Sequence, residues 1–221
     1  MKTAMTRSEE TERLEDLGRA SMQIVHDLKN QLNGLKLYAT FLRRRIEKGE
    51  RPSDEQETIG KLIGGLDRAA EDLSLIVRYG RAVDLKKQPG VEVDKVLRAL
   101  CASFAETNSQ IAWKADSEVV QGEFDLFKIT DAFKWLCTGA LKHRETPNGK
   151  AAAINVSARL AESEPKTAVI EWSGLRQLDQ DPLRSFAGSD EIKLALAAKI
   201  IEAHGGSARF VDKKIVVTLP L

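Results

Sequence analysis

Apolar or small residues recur at Leu14, Gly18, Ser21, Val25, Leu28, Leu32, Leu35, Ala39, Leu42 and Ile46. The steps alternate between three and four residues, which is the seam of a coiled coil or helical bundle. No proline interrupts the stretch, so the pattern predicts one long helix over Ser8–Lys48, on the order of 60 Å at 1.5 Å per residue. Lys48-Gly49 stops it, glycine taking the left-handed cap conformation. GERPSD then reads as a turn, with Ser53 as N-cap ahead of Asp54, Glu55 and Glu57 at the positive end of a second helix. That helix repeats the seam at Ile59, Ile63, Leu66, Ala70, Leu73 and Val77 and ends near Tyr79-Gly80. Two such helices on a short loop form an antiparallel hairpin. One hairpin cannot bury both seams, so residues 8–81 are expected to pair with a second copy as a homodimeric four-helix bundle.

The pattern changes after Gly80. AVDLKKQPGVEV reads as a linker with its turn at Pro89-Gly90, and a second domain is expected over residues 91–221. Within it Asp94–Phe104 reads as a helix and Gln110–Lys114 as a short strand. Phe124–His143 reads as a helix with apolar positions Phe124, Phe127, Ile129, Ala132, Phe133, Leu136, Ala140 and Leu141. Ala151–Leu160 and Thr167–Trp172 alternate like two strands of a hairpin turned by AESEPK. Glu191–His204 reads as a helix stopped by Gly205-Gly206, and two more strands close the chain. The expected fold class is α+β: the helical hairpin, then an α/β sandwich with an antiparallel or mixed sheet under helices.

Composition changes this picture little. The chain has 221 residues, 42% hydrophobic and 30% charged, enough for a sizeable core, and its formal charge of +1 gives no pull toward nucleic acid or an anionic membrane. No run approaches the ~18–20 apolar residues of a membrane span. The charged N-terminus MKTAMTRSEETERLEDL has no signal-peptide core, so a cytoplasmic protein is expected. Cys101 and Cys137, far apart and without CxxC spacing, read as buried free thiols.

The candidate chemistry lies in SMQIVHDLKNQLNGLKLYATFL, Ser21–Leu42. His26 follows the seam residue Val25, so it projects from the flank of the bundle. Asp27 follows directly and Asn30 lies one turn on. An imidazole nitrogen can accept a phosphoryl group while a carboxylate orients the other nitrogen and stabilises the growing charge. Asn30 can hydrogen-bond the phosphoryl group or a water attacking an acyl phosphate. Taken alone, a helical histidine is most simply a polar residue on a helix face. Met22, Tyr38 and Phe41 lie along the same helix as contacts or as packing.

HDLKNQLN, followed by a long amphipathic helix, a turn and a second heptad helix, resembles the H-box and dimerisation domain of the sensor histidine kinases. The resemblance implies His26 as phosphoacceptor, Asp27 as its acidic partner in transfer and Asn30 as the residue used in dephosphorylating a partner. It departs at Gln31, where the family commonly has proline. Glutamine leaves the helix straighter, since proline removes a backbone donor and bends it.

The resemblance continues to the C-terminus as an ATPase-type domain without its ATP groups. FDLFKITDAFKWLCTGALKH aligns with the helix carrying the family's N-box, with Trp135 and Gly139 at the asparagine positions. TAVIEWSGL resembles the strand and turn that should read Asp-x-Gly, with Trp172 in place of the aspartate that reads adenine. Glu191 and Lys193 stand at the glycines of Gly-x-Gly-Leu-Ala, and about fifteen residues between Gly174 and Asp190 leave little room for a lid. ATP is therefore not expected, and no metal of the chain's own. Trp113, Trp135 and Trp172 read as core or interface filling, and His143 and His204 as structural residues at helix C-termini.

An intact acceptor motif joined to a disabled nucleotide site implies a histidine phosphotransferase that relays phosphoryl groups between response-regulator receiver aspartates through His26. The receiver's own acidic pocket would supply Mg²⁺. The alternatives are a receiver phosphatase working through Asn30, a non-catalytic dimeric scaffold binding a response regulator, and, least favoured, an active kinase.

Overall fold

The computed structural model describes residues 27–45, 47–48, 55–106, 110–115, 120–149, 151–161, 166–186 and 188–221. They form two compact units: the residues up to Arg81 with Phe186–Ser189, and Ala82–Ser185 with Asp190–Leu221. His26, Met22, Ile46 and the Ser53 cap lie outside the described residues.

The first unit is built on helix α1, continuous over residues 27–45, and helix α2, Glu55–Gly80. Leu35 on α1 lies against Gly65 on α2, where an added Cβ would stand 2.7 Å from the leucine Cδ2. The absence of a side chain at Gly65 is what lets the two helices approach. Leu35, Thr58, Gly65, Ala69, Asp72 and Leu75 are buried. The stripe with the strongest heptad signal is a different one. Ile59, Ile63, Leu66, Leu73 and Val77 on α2 are all about half exposed, at 46–56%. Among the described residues no helix is long and apolar enough to cross a membrane.

The second unit is a five-stranded mixed sheet carrying helices. Its strands are β2 (Ile111–Ala115), β4 (Ile154–Leu160), β5 (Thr167–Ser173), β6 (Ser207–Val211) and β7 (Lys214–Pro220), in the order β2-β4-β5-β7-β6. β2 pairs parallel with β4 and the other neighbours are antiparallel. Alternation along β4, β5 and β7 sends one set of side chains to a buried face. Register then aligns them in rows across the sheet: Val156, Trp172 and Ile215, then Ala158, Ile170 and Val217. Against these rows pack α3 (Val93–Glu106), α4 (Leu126–Lys142) and α5 (Ser189–Ala203). The hairpin between β6 and β7 turns at Asp212 and Lys213, both with positive φ (49° and 60°), the primed-turn geometry that matches strand twist.

Two short strands differ from the sequence reading. Gln88–Glu92 is strand β1 and Gln121–Phe124 is strand β3, paired antiparallel as a separate ribbon. Pro89-Gly90 does not form the expected turn. The register shifts between Gln88 and Val91, and Gly90 takes φ +79°, so the dipeptide makes an irregularity in the exposed first part of the strand. Phe124 ends β3 rather than opening a helix, and Phe127, on the outer side of α4, is 84% exposed rather than in the core.

Asp125 and His204 tie this unit together. Asp125 caps α4, its carboxylate accepting from the backbone N–H of Lys128 (3.0 Å) and of Lys86 (2.8 Å). Burial opposes its ionisation, but those two N–H donors outweigh it and hold the carboxyl below its ordinary range. The Asp125 N–H donates to His204 Nε2 (3.0 Å), which must therefore be the unprotonated nitrogen, and Nδ1–H donates to the Ile200 carbonyl (2.8 Å). α5 ends in the expected glycines. The Gly205 N–H reaches Glu202 O and the Gly206 N–H reaches Ile201 O, with Gly205 at φ +86°.

Burial pushes the His204 and His143 imidazoles below the ordinary histidine value of 6.5. The folded state thus holds both neutral, and the unfolded chain takes up their protons first as pH falls. Their contribution is fully present above about pH 6.5 and is lost as pH falls through the lower folded values. Urea unfolding at pH 7.5 and pH 5.5 should give the lower stability at pH 5.5. His204→Gln should narrow that gap, and an unchanged gap would remove His204 from the account.

Candidate functional site

The acceptor segment overlaps α1 from Asp27 onward, one residue after His26. Asp27 is half-buried and Asn30 exposed, and three residues apart on a helix they share one side. Further along, Tyr38 (37%) and Phe41 (48%) are exposed, with the Arg45 guanidinium 5.0 Å above the Phe41 ring. Of the three predicted site residues, Asp27 and Asn30 are thus placed together, one turn apart, and His26 lies outside the described residues.

Gln31 is the residue whose environment the sequence did not reveal. Its Nε2 donates to Asp72 Oδ2 on α2 at 2.8 Å, across the hairpin. Asp72 is only 6% exposed and sits among the residues that α2 buries. The helix runs unbroken through Gln31.

The second set of positions lies in the sandwich. Trp172, on the central strand β5, is fully buried, and its indole N–H points at Cys137 Sγ, 3.3 Å away on α4. The Phe133 ring lies 6.0 Å from it, centroid to centroid. Cys137 also meets the Cys101 thiol from α3. That hydrogen bond, together with burial, pushes the Cys137 thiol up and keeps it protonated. Gly174, two residues on, takes φ +97°, and a Cβ there would meet Ala153 O at 2.6 Å.

Trp135 is half-buried. At Gly139 an added Cβ would stand 2.4 Å from Leu194 Cδ2 and 2.8 Å from its Cγ, and Leu194 is itself fully buried. The leucine of α5 thus fills the space that a side chain at position 139 would enter. Beside it, Lys142 Nζ bridges Glu191 Oε1 (2.9 Å) and Asp190 Oδ2 (3.1 Å). Burial would lower the Lys142 ammonium, but the two carboxylates outweigh it and raise it. His143 is buried, with Nε2 3.7 Å from Glu191 Oε1. This cluster was not legible in the sequence, because its members come from α4 and α5, about fifty residues apart (49 between Lys142 and Glu191).

No family model matches the sequence, and neither does any curated protein. Solved structures do match. The histidine kinase AdeS of Acinetobacter baumannii superposes with a TM-score of 0.60 at 16% identity, over 87% of this chain and 95% of that one. Full-length ShkA in complex with AMPPNP gives 0.59 at 14% identity, over 92% of this chain, which spans 45% of ShkA. Helical hairpin and mixed-sheet sandwich together give this chain the fold of a sensor histidine kinase core.

Proposed function

We propose that the chain is a histidine phosphotransferase of a two-component phosphorelay, working as a dimer and without ATP. The observation that carries this reading is the packing at Trp172. A fully buried indole, bonded to Cys137 and packed on Phe133, stands where an ATP-binding relative would present its adenine-reading carboxylate. An indole accepts no hydrogen bond and here belongs to the core. Leu194 fills the space at Gly139, and Lys142 is engaged by Asp190 and Glu191 near the start of α5, where phosphate-binding backbone would have to be open. The residues present do not fit a nucleotide.

The remaining chemistry is that of α1. A phosphorylated receiver docks beside it and a lone pair of the His26 imidazole attacks phosphorus. The N–P bond forms as the acyl O–P bond breaks, and the receiver's carboxylate leaves. Asp27 orients the imidazole and stabilises its positive charge. The reverse step onto a second receiver completes the relay. Any Mg²⁺ belongs to the receivers. The half-exposed stripe Ile59, Ile63, Leu66, Leu73 and Val77 supports a homodimeric four-helix bundle, because five large apolar side chains at heptad spacing are the seam of a further helix pair.

Purified protein incubated with a labelled phospho-receiver should take up label that is acid-labile and alkali-stable, as a phosphohistidine is. His26→Ala should abolish it, and undiminished labelling of His26→Ala would sink the reading. Asn30→Ala should keep the label on His26 and slow any loss of phosphate to water. Replacing Leu66 and Leu73 together by glutamate should convert a dimer to monomers in sedimentation. Restoring the ATP-site residues should cost stability without recovering the nucleotide. Gly139→Asn should lose about 1–3 kcal/mol by overpacking against Leu194, with no thermal shift on adding Mg²⁺ and ATP.

A further inference from the structure

A hydrogen bond between Gln31 and Asp72 joins α1 to α2, and it lies immediately beside Asn30 of the acceptor motif. Asp72 stands among Gly65, Ala69 and Leu75 on the buried side of α2, at 6% exposure. A carboxylate there loses most of its water and, when ionised, can only accept. Gln31 must therefore turn its amide nitrogen to it. The cost of that orientation is visible: Gln31 Oε1 is buried and has no hydrogen-bond partner among the described residues. A half-satisfied buried pair adds little stability over two well-packed apolar residues. What such a buried polar pair supplies at a helix interface is a unique register.

We infer that Gln31 and Asp72 are positioning residues, a register lock that fixes the rotation and height of the acceptor turn of α1 against α2. Gln31 follows Asn30 directly and lies one turn beyond Asp27, so holding it holds both. Asp27, Asn30 and Gln31 lie in one continuous stretch of helix, so a cross-helix hydrogen bond at Gln31 aims that stretch. This inference rests on the relay reading for its functional consequence but not for its geometry.

Two double variants of the full chain test it. Gln31→Leu with Asp72→Leu replaces the pair by apolar packing, and should melt at or above the wild type. Its transfer from a phospho-receiver should nevertheless fall in kcat by roughly tenfold or more, the scale of a small misplacement of a reacting group, with KM for the receiver unchanged. Gln31→Glu with Asp72→Asn reverses donor and acceptor while keeping both lengths, and should restore kcat to near the wild-type value. A merely structural pair predicts the opposite for the leucine variant, full kcat with full stability, and that result would overturn the inference. Spin labels at Lys36→Cys and Arg68→Cys, both exposed while Cys101 and Cys137 are buried, read the geometry directly. Their distance distribution should shift or broaden in the leucine variant and recover in the reversed pair. Should wild-type protein take no label, the relay reading fails and the spin-label arm alone decides: an unchanged distribution overturns the lock, and a reversible change sustains it.

Discussion

The packing of the sandwich turns on a single large side chain in its middle row. Trp172 lies between Val156 and Ile215 across the sheet and meets Phe133 and Cys137 of α4. An aromatic of this size is worth several side-chain contacts to the core, about 3–5 kcal/mol on truncation to alanine. Between sheet and helix the indole fills the space, and the Cys137 thiol takes up its one polar hydrogen.

The hairpin is governed by a different constraint, the division of α2 between two neighbouring stripes. Its inner stripe buries Thr58, Gly65, Ala69, Asp72 and Leu75 and lets α1 approach closely at Gly65. Its outer stripe is large and apolar and stays half exposed. Burying five such side chains contributes on the order of 25 cal/mol for each Å² removed from water. On the proposed dimeric reading that stripe gains from a further partner, while the polar pair Gln31–Asp72 belongs to the contact with α1.

Much of this was legible in the sequence, and the remainder has identifiable reasons. Periodicity of two located β4 and β5, and Gly205-Gly206 marked the end of α5 ahead of the two closing strands, because each signal is local. Pro89-Gly90 masked β1, since a dipeptide that usually makes a turn here makes an irregularity in a strand with one partner. QGEF, the whole of β3, is too short to alternate convincingly. Heptad counting found the outer stripe of α2 and passed over the inner one, because it registers hydrophobicity and not which helix provides cover. Asp27 and Asn30 were readable from spacing within one helix. Gln31 with Asp72, and Lys142 with Asp190 and Glu191, join elements far apart in the chain, and nothing in either local segment announces the other.

Which residues of the nucleotide-type pattern remain is informative when each is set against its backbone. Gly174 is retained, and its φ of +97° with Ala153 O only 2.6 Å from a Cβ leaves no other residue room. Gly206, after α5, is likewise required by the path of the chain, an added Cβ meeting Thr218 O at 2.2 Å. Glycines required by the path of the chain persist, then, while the positions that the histidine-kinase resemblance would set against a nucleotide carry tryptophan, glycine under a leucine, and glutamate in an ion pair. On the proposed reading, the sandwich survives as a body attached to the acceptor hairpin, and the chemistry has contracted to a single turn of α1.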